Sequence, residues 1–152
     1  MSNNHGDIVI EAPASYKWVE GTLKKITYVA EAGGVKYESL QKAIDAAKSK
    51  AVVTMLADTR ENVTISKALT LDLNGFTLNG STGERKAALK VDNATVTVKD
   101  SSANQTGTIK REDVEDPNVT GSNSYYVIDI QGGNGLLIFE AAMSRTPAVL
   151  SA

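Results

Sequence analysis

Between Ala51 and Lys110 the chain is a succession of short runs in which apolar and polar residues alternate. Each run is ended by Asn, Gly, Asp or Ser. Alternation at period two puts successive side chains on opposite faces of a strand. Val63-Thr64-Ile65, Leu69-Thr70-Leu71-Asp72-Leu73, Leu89-Lys90-Val91 and Val96-Thr97-Val98 are the clearest cases, and Ile109 continues the theme. Val53 and Met55, with Ala57, form one face of an earlier strand. A chain written this way must fold into sheets and bury one face of each strand.

The runs also recur. Val63 to Leu89 and Ile65 to Val91 are each 26 residues; Leu71 to Val96 and Leu73 to Val98 are each 25; Leu89 to Ile128 and Val91 to Ile130 are each 39. The longer offset fits a polar insertion, Arg111 to Ser124. After Gln131-Gly132-Gly133, the apolar run Leu136 to Phe139 stands where the next strand belongs. Three short strands per repeat of this length predict stacked turns of a parallel β-helix. An antiparallel sandwich also produces short alternating strands. The two Asn-Gly pairs, Asn74-Gly75 and Asn79-Gly80, would suit its hairpins. The pattern alone leaves both architectures open.

One segment breaks the period. Tyr37, Leu40, Ile44 and Ala47 fall three and four apart, which predicts an amphipathic helix over Glu38 to Lys50. Ser39 is the expected N-cap. Position 42 holds Lys rather than the Glu or Gln of a capping box. Lys48 and Lys50 are expected in the last turn, where positive charge suits the helix dipole. Upstream, Glu20-Gly21 after Trp18 predicts a hairpin within Tyr16 to Ala30, and Gly33-Gly34 predicts a second turn. Residues 1–30 thus read as a tail and hairpin lead-in, and residues 31–152 as helix and repeats.

Composition narrows the function. Aromatics are 5% of 152 residues, so aliphatic side chains must fill the core. The formal charge is -2 without a basic patch, which argues against nucleic acid. No apolar run approaches a membrane span. Residues 1–15 lack the basic and apolar regions of a signal peptide. With no cysteine and a single histidine, His5, a transition-metal site is not expected. No cofactor or catalytic residue is assigned.

The run YVAEAGGVKYESLQKAIDAA, then VVTMLAD, ENVTISKALTLDLNGFTLNG and ATVTVKDSS…GTI resembles repetitive cell-surface proteins of gut Firmicutes. The likeness covers about residues 11–140 and is sharpest at the helix and the TLDLNG segment. It implies a mainly β fold: a short right-handed parallel β-helix of the pectin-lyase-like type, two to three coils long, with an N-terminal capping helix. It implies an extracellular or cell-surface location. Leu40, Ile44 and Ala47 would cover the first coil, with Lys42, Asp45 and Lys48 in water. The implied function is a non-enzymatic structural or adhesive module that contacts glycans. The alternative is a fragment of a polysaccharide lyase or glycoside hydrolase. Glu140 to Ala152 lacks the alternation, which predicts an open last coil and self-association through it.

Carboxylates are the remaining chemical candidates. Asp72, Asp92 and Asp129 sit between or beside core residues, so alternation places all three outward. They read first as solvated side chains and second as a ladder that contacts a sugar. Trp18, Tyr125 and Tyr126 are the aromatic candidates for the same contact; the bland reading makes Trp18 and Tyr126 cap or core. Arg60, Arg85, Arg111 and Arg145 carry no motif that would map a lyase base. Asp72-x-Asn74-Gly75 falls short of a calcium loop, because position twelve is Gly83. No Lys-Ser/Thr pair follows Gly80-Ser-Thr-Gly83, which excludes a Walker loop. Asn62, Asn93, Asn104 and Asn118 begin Asn-x-Thr triplets, which strand threonines explain.

Overall fold

A computed structural model describes residues 12–112 and 126–140. The elements in chain order are β1 (Tyr16–Val19), β2 (Thr22–Lys25), β3 (Ala30–Ala32), β4 (Val35–Tyr37), α1 (Leu40–Ala46), β5 (Val52–Met55), β6 (Thr59–Arg60) and β7 (Val63–Ile65). They continue with β8 (Leu69–Asp72), β9 (Thr77–Asn79), β10 (Leu89–Asp92), β11 (Thr95–Lys99), β12 (Thr108–Lys110), β13 (Ile128–Gln131) and β14 (Leu136–Glu140). The protein is mainly β. The apolar run Ile8–Ile10, the insertion over 113–124, Tyr125, Arg145 and the tail after Glu140 lie outside the described residues.

From β5 onward the chain visits three sheets in rotation. One sheet is ordered β7-β10-β13, the second contains β5-β8-β11-β14, and the third is β6-β9-β12. Every pairing within these strands is parallel. The Asn-Gly pairs therefore make no hairpins. Asn74-Gly75 carries the chain from β8 to β9, which belong to different sheets, and both residues adopt positive φ (47° and 82°). The antiparallel alternative fails for these strands; antiparallel pairing is confined to β1–β2 and to β3 with β4 and β5.

The register confirms most of the sequence offsets and corrects two. Val63 pairs with Leu89 and Ile65 with Val91, while Leu89 pairs with Ile128 and Val91 with Ile130. In the second sheet, however, Val96 pairs with Leu69 and Val98 with Leu71, an offset of 27 rather than 25. Leu73 is the cause: it continues the alternation in sequence but lies past the end of β8, in the turn. The inward residues of successive strands form columns, and Val53, Met55, Ile65, Leu71, Leu78, Leu89, Val91 and Val96 are all shielded from water. Each such side chain contributes about 1.5–3 kcal/mol through burial.

The first strands of two sheets are closed by separate devices. In the second sheet, β3 and β4 add two antiparallel strands beyond β5. In the first sheet, the neighbour of β7 is α1. The Gln41 side chain imitates a strand there. Its Oε1 accepts from Thr64 N at 2.8 Å, and its Nε2 donates to Thr64 O at 3.0 Å. Asp45, one turn on, accepts from the same Nε2 and holds the amide in place. Leu40, Ala43, Ile44 and Ala47 are buried beneath, and Lys42, Asp45 and Lys48 are exposed, as the spacing predicts.

The helix is shorter than the periodicity suggests, seven residues against the thirteen from Glu38 to Lys50. Ser39 is its N-cap and accepts from Lys42 N. The carboxylate missing at position 42 comes instead from Glu61. Its oxygens accept from Leu40 N at 2.8 Å, Gln41 N at 3.1 Å and Ser39 Oγ at 2.9 Å. At the other end, neither Lys48 nor Lys50 falls in the last turn. Lys67 takes that role and donates to the carbonyls of Asp45 and Ala47. Glu61 and Lys67 flank β7, so one short strand carries an anion to the N-terminal end of the helix and a cation to its C-terminal end, each matching the dipole. The hairpin β1–β2 joins this end through Lys17 and Glu38, an ion pair of 2.6 Å with both side chains well exposed.

Glu61→Ala leaves two helix N–H groups and the Ser39 hydroxyl without their acceptor. It should destabilise the protein by about 1–3 kcal/mol in urea titration. Glu61→Gln, which keeps the oxygen acceptor but loses the charge, should cost less. A loss below about 0.5 kcal/mol for Glu61→Ala would show that Glu61 does not hold the helix.

Candidate functional site

The outward residues of β7, β10 and β13 form the floor of the best-defined cleft among the described residues. Thr64, Lys90 and Asp129 lie side by side across the three strands, because Lys90 is in register with both of the others. Gln131, two residues beyond Asp129, also lines the cleft and donates to Asp129 Oδ2 at 2.8 Å. The walls are Asn62, Arg85, Lys86 and Ala87 on one side and Tyr126 on another. The volume is about 400 Å³, near the lower end of the range of small-molecule pockets.

The wall is a seven-residue excursion, Ser81 to Ala87, tied down at several points. Gly80 and Ala88 form its neck: a Cβ on Gly80 would lie 2.5 Å from Ala88 Cα, so only glycine fits there. Asn62 Nδ2 donates to the carbonyls of Gly80, Lys86 and Ala87, and Asn62 Oδ1 accepts from Thr82 Oγ1. Arg111 reaches across to the carbonyl of Glu84. Asn62 thus anchors the wall, which accounts for its place in the sequence without glycosylation.

The six candidate residues separate. Asp129 and Tyr126 line this cleft, and Tyr126 is 57% exposed. Asp92 lies on the same sheet, opposite Gln131, with Lys90 Nζ 3.9 Å away, but it does not line the cleft. Trp18 belongs to the separate β1–β2 hairpin, opposite Leu23. Tyr125 lies outside the described residues. Asp72 contradicts the expectation of a solvated carboxylate. It is buried, 4% exposed, on the second sheet. Its register with Thr54 and Lys99 keeps it on the outward face, but the turns after β8 and β11 lie over it. The three aspartates therefore form no common ladder.

Asp72 has a structural task. Its Oδ1 accepts from Asn74 N and from Ser101 N, both at 3.0 Å, and Lys99 Nζ approaches to 3.7 Å. Asp72 thus fixes its own turn and the corresponding turn of the next repeat. Asp100 does the same one layer on. It accepts from Gly75 N, Ser102 N and Ser102 Oγ through Oδ1, and from Gly107 N through Oδ2. Burial of this carboxyl acts to raise its pKa. The hydrogen bonds from Ser102 Oγ, Ser102 N, Gly107 N and Gly75 N outweigh that and hold it below the ordinary value. Asp58 accepts from Thr77 N, and Asn74 Nδ2 donates to Met55 O, which extends the seam to β5. The acidic Asp-x-Asn-Gly segment is accordingly a corner, with Asp72 Oδ1 held by backbone N–H groups and Oδ2 facing Lys99.

Sequence reasoning missed Lys86 and Lys90 as cleft residues and gave Arg85 no role. Their only signal was cross-strand register, which brings Lys90 beside Asp129 across 39 residues. Among the described residues, no group of three His, Cys, Asp or Glu side chains is placed to hold a metal ion. Among the described residues no helix is long and apolar enough to cross a membrane.

Asp72→Ala should cost about 1–3 kcal/mol in thermal or urea unfolding, whereas Asp92→Ala should stay within about 0.5 kcal/mol. Equal effects would remove the distinction drawn between them. Because the folded pKa of Asp100 is depressed, its contribution is present above the unfolded value near 4 and is lost as pH falls through the folded value. The stability gap between the wild type and Asp100→Asn should therefore be widest near neutral pH and shrink below about pH 4. A gap independent of pH down to 2 would contradict it.

Comparison with known proteins gives no match: no family model, curated protein or solved structure is similar to this chain.

Proposed function

We propose that the chain is a short right-handed parallel β-helix with a helix-capped end, serving as a structural and adhesive module of a bacterial cell-surface protein. The observation that carries this reading is the rotation of the chain through three parallel sheets, each strand from β5 to β11 pairing in parallel with the strand three places further on. In a β-helix each turn of chain contributes one strand to each sheet, and the inward columns of side chains form a continuous core. An end where α1 covers β7 and β3–β4 extend the sheet beyond β5 suits a module that begins such a stack, since in two of the three sheets the first parallel strand is not left as a bare edge.

Outward faces of such a stack carry the contacts. Here the face over β7, β10 and β13 presents a preformed, polar cleft with an aromatic ring at its edge, which is the composition of a glycan contact. Among the described residues the lining holds one carboxylate, Asp129; hydrolysis of a glycosidic bond ordinarily uses a pair. The module therefore binds without turnover.

The test is a glycan array probed with the labelled chain, run beside an assay for release of reducing or unsaturated sugar from acidic and neutral polysaccharides. Binding to a defined glycan set without release is the expected result. Turnover that disappears in Asp129→Asn would overturn the non-enzymatic reading.

A further inference from the structure

We infer that the cleft over β7, β10 and β13 takes a small acidic sugar, with its anionic group held by Arg85, Lys86 and Lys90 and its hydroxylated ring against Tyr126 and Asp129. This rests on the glycan-contact reading and specifies the ligand class for that face. Among the described residues of the lining three side chains are cationic and one is anionic, while the whole chain carries a net charge of -2. Cations thus outnumber anions in the lining itself, while Glu84 and Asp92 lie against two of them from outside it. A positive potential attracts an anion and strengthens inside a concave wall.

The two sides of the cleft differ. Arg85 and Lys86 stand on the pinned wall, and Lys90 rises from the floor beside it. Lys86 is bridged to Glu84 and Lys90 lies loosely against Asp92; all four side chains are at least one-third exposed. Such pairs are weak in water, so a ligand oxyanion can recruit the ammonium groups at little cost. Tyr126 offers an exposed apolar ring face that suits the C–H face of a sugar. Asp129 has acceptor capacity beyond its bond to Gln131, which suits hydroxyl donors. A neutral sugar would use only the second side; an inorganic anion would use only the first. A sugar carrying a carboxylate, sulfate or phosphate uses both.

The wall is built before any ligand arrives. The Gly80–Ala88 neck, the three carbonyls held by Asn62 and the Arg111 contact to Glu84 fix it to the sheet. Little ordering is then required on binding, which favours affinity. The volume of about 400 Å³ limits the occupant to a mono- or disaccharide, or to one such stretch of a longer glycan.

The test is amide chemical-shift titration of the whole chain at low salt. The probes are glucuronic acid, N-acetylglucosamine 6-sulfate, glucose 6-phosphate, uncharged glucose and inorganic phosphate. At least one charged sugar should saturate with shifts centred on Ala87, Lys90 and Gln131, about tenfold more tightly than glucose, and weaken as salt rises. The three charged arms identify the anionic group. Lys90→Gln and Arg85→Gln should each weaken binding by roughly five- to tenfold, and Tyr126→Ala should weaken it while leaving inorganic phosphate unaffected. Lys25→Gln, on β2, should change nothing. Equal affinity for glucose and the charged sugars, or no effect of Lys90→Gln, would overturn this inference and leave glycan contact standing. Absence of binding by every sugar would overturn both.

Discussion

A parallel sheet has to end somewhere, and its last strand leaves N–H and C=O groups facing outward. This protein depends on how it meets that constraint at β7. Gln41 offers a side-chain amide in the geometry of a neighbouring peptide and bonds both groups of Thr64. A seven-residue helix is too short to be stable alone. It persists because its N–H groups meet Glu61, its last carbonyls meet Lys67, and Leu40, Ala43 and Ile44 are buried against the sheets below. The helix closes the sheet, and the strand it closes supplies both charges that hold the helix.

The same economy runs along the corner between the second and third sheets. Asp72 and Asp100 each bond N–H groups of more than one repeat, so the turns are tied to each other as well as the strands. With the interior filled by aliphatic columns and this corner occupied by structural carboxylates, polar groups remain available on the outward faces of the first and third sheets, over β7, β10 and β13 and over β6, β9 and β12. Over β7, β10 and β13 the excursion after Gly80 adds the wall that a bare sheet lacks. The functional reading follows from that division of labour: the core and corner make a stiff support, and one face carries a shaped, cationic cleft.

Much of the strand content was legible because alternation is a local property. Val63-Thr64-Ile65 and Leu89-Lys90-Val91 announce themselves, and their offset of 26 is the true register. Leu73 misled the second sheet by two residues, since a turn residue can extend an alternating pattern at no cost in sequence. Asp72 misled the site for another reason: it ends β8 on the outward face, and the turns after β8 and β11 cover it. The partners of the helix were not legible at all. Glu61 and Lys67 act on residues about twenty positions away, and nothing local distinguishes them from solvated charges. Of the site candidates, Asp129 and Tyr126 reached the cleft. Lys90 did not stand out, because only the stacking of β10 beside β13 gives it a neighbour. Tyr125 lies outside the described residues.

Native-state hydrogen exchange at Thr64 tests the closure most directly. The Thr64 amide is predicted to be protected in the wild type. In Gln41→Ala its exchange should quicken by about tenfold or more, while the amide of Leu71, deep in the second sheet, is unchanged. Unaltered protection of Thr64 in that variant would contradict the account, because the strand edge would then be closed by something other than the Gln41 side chain.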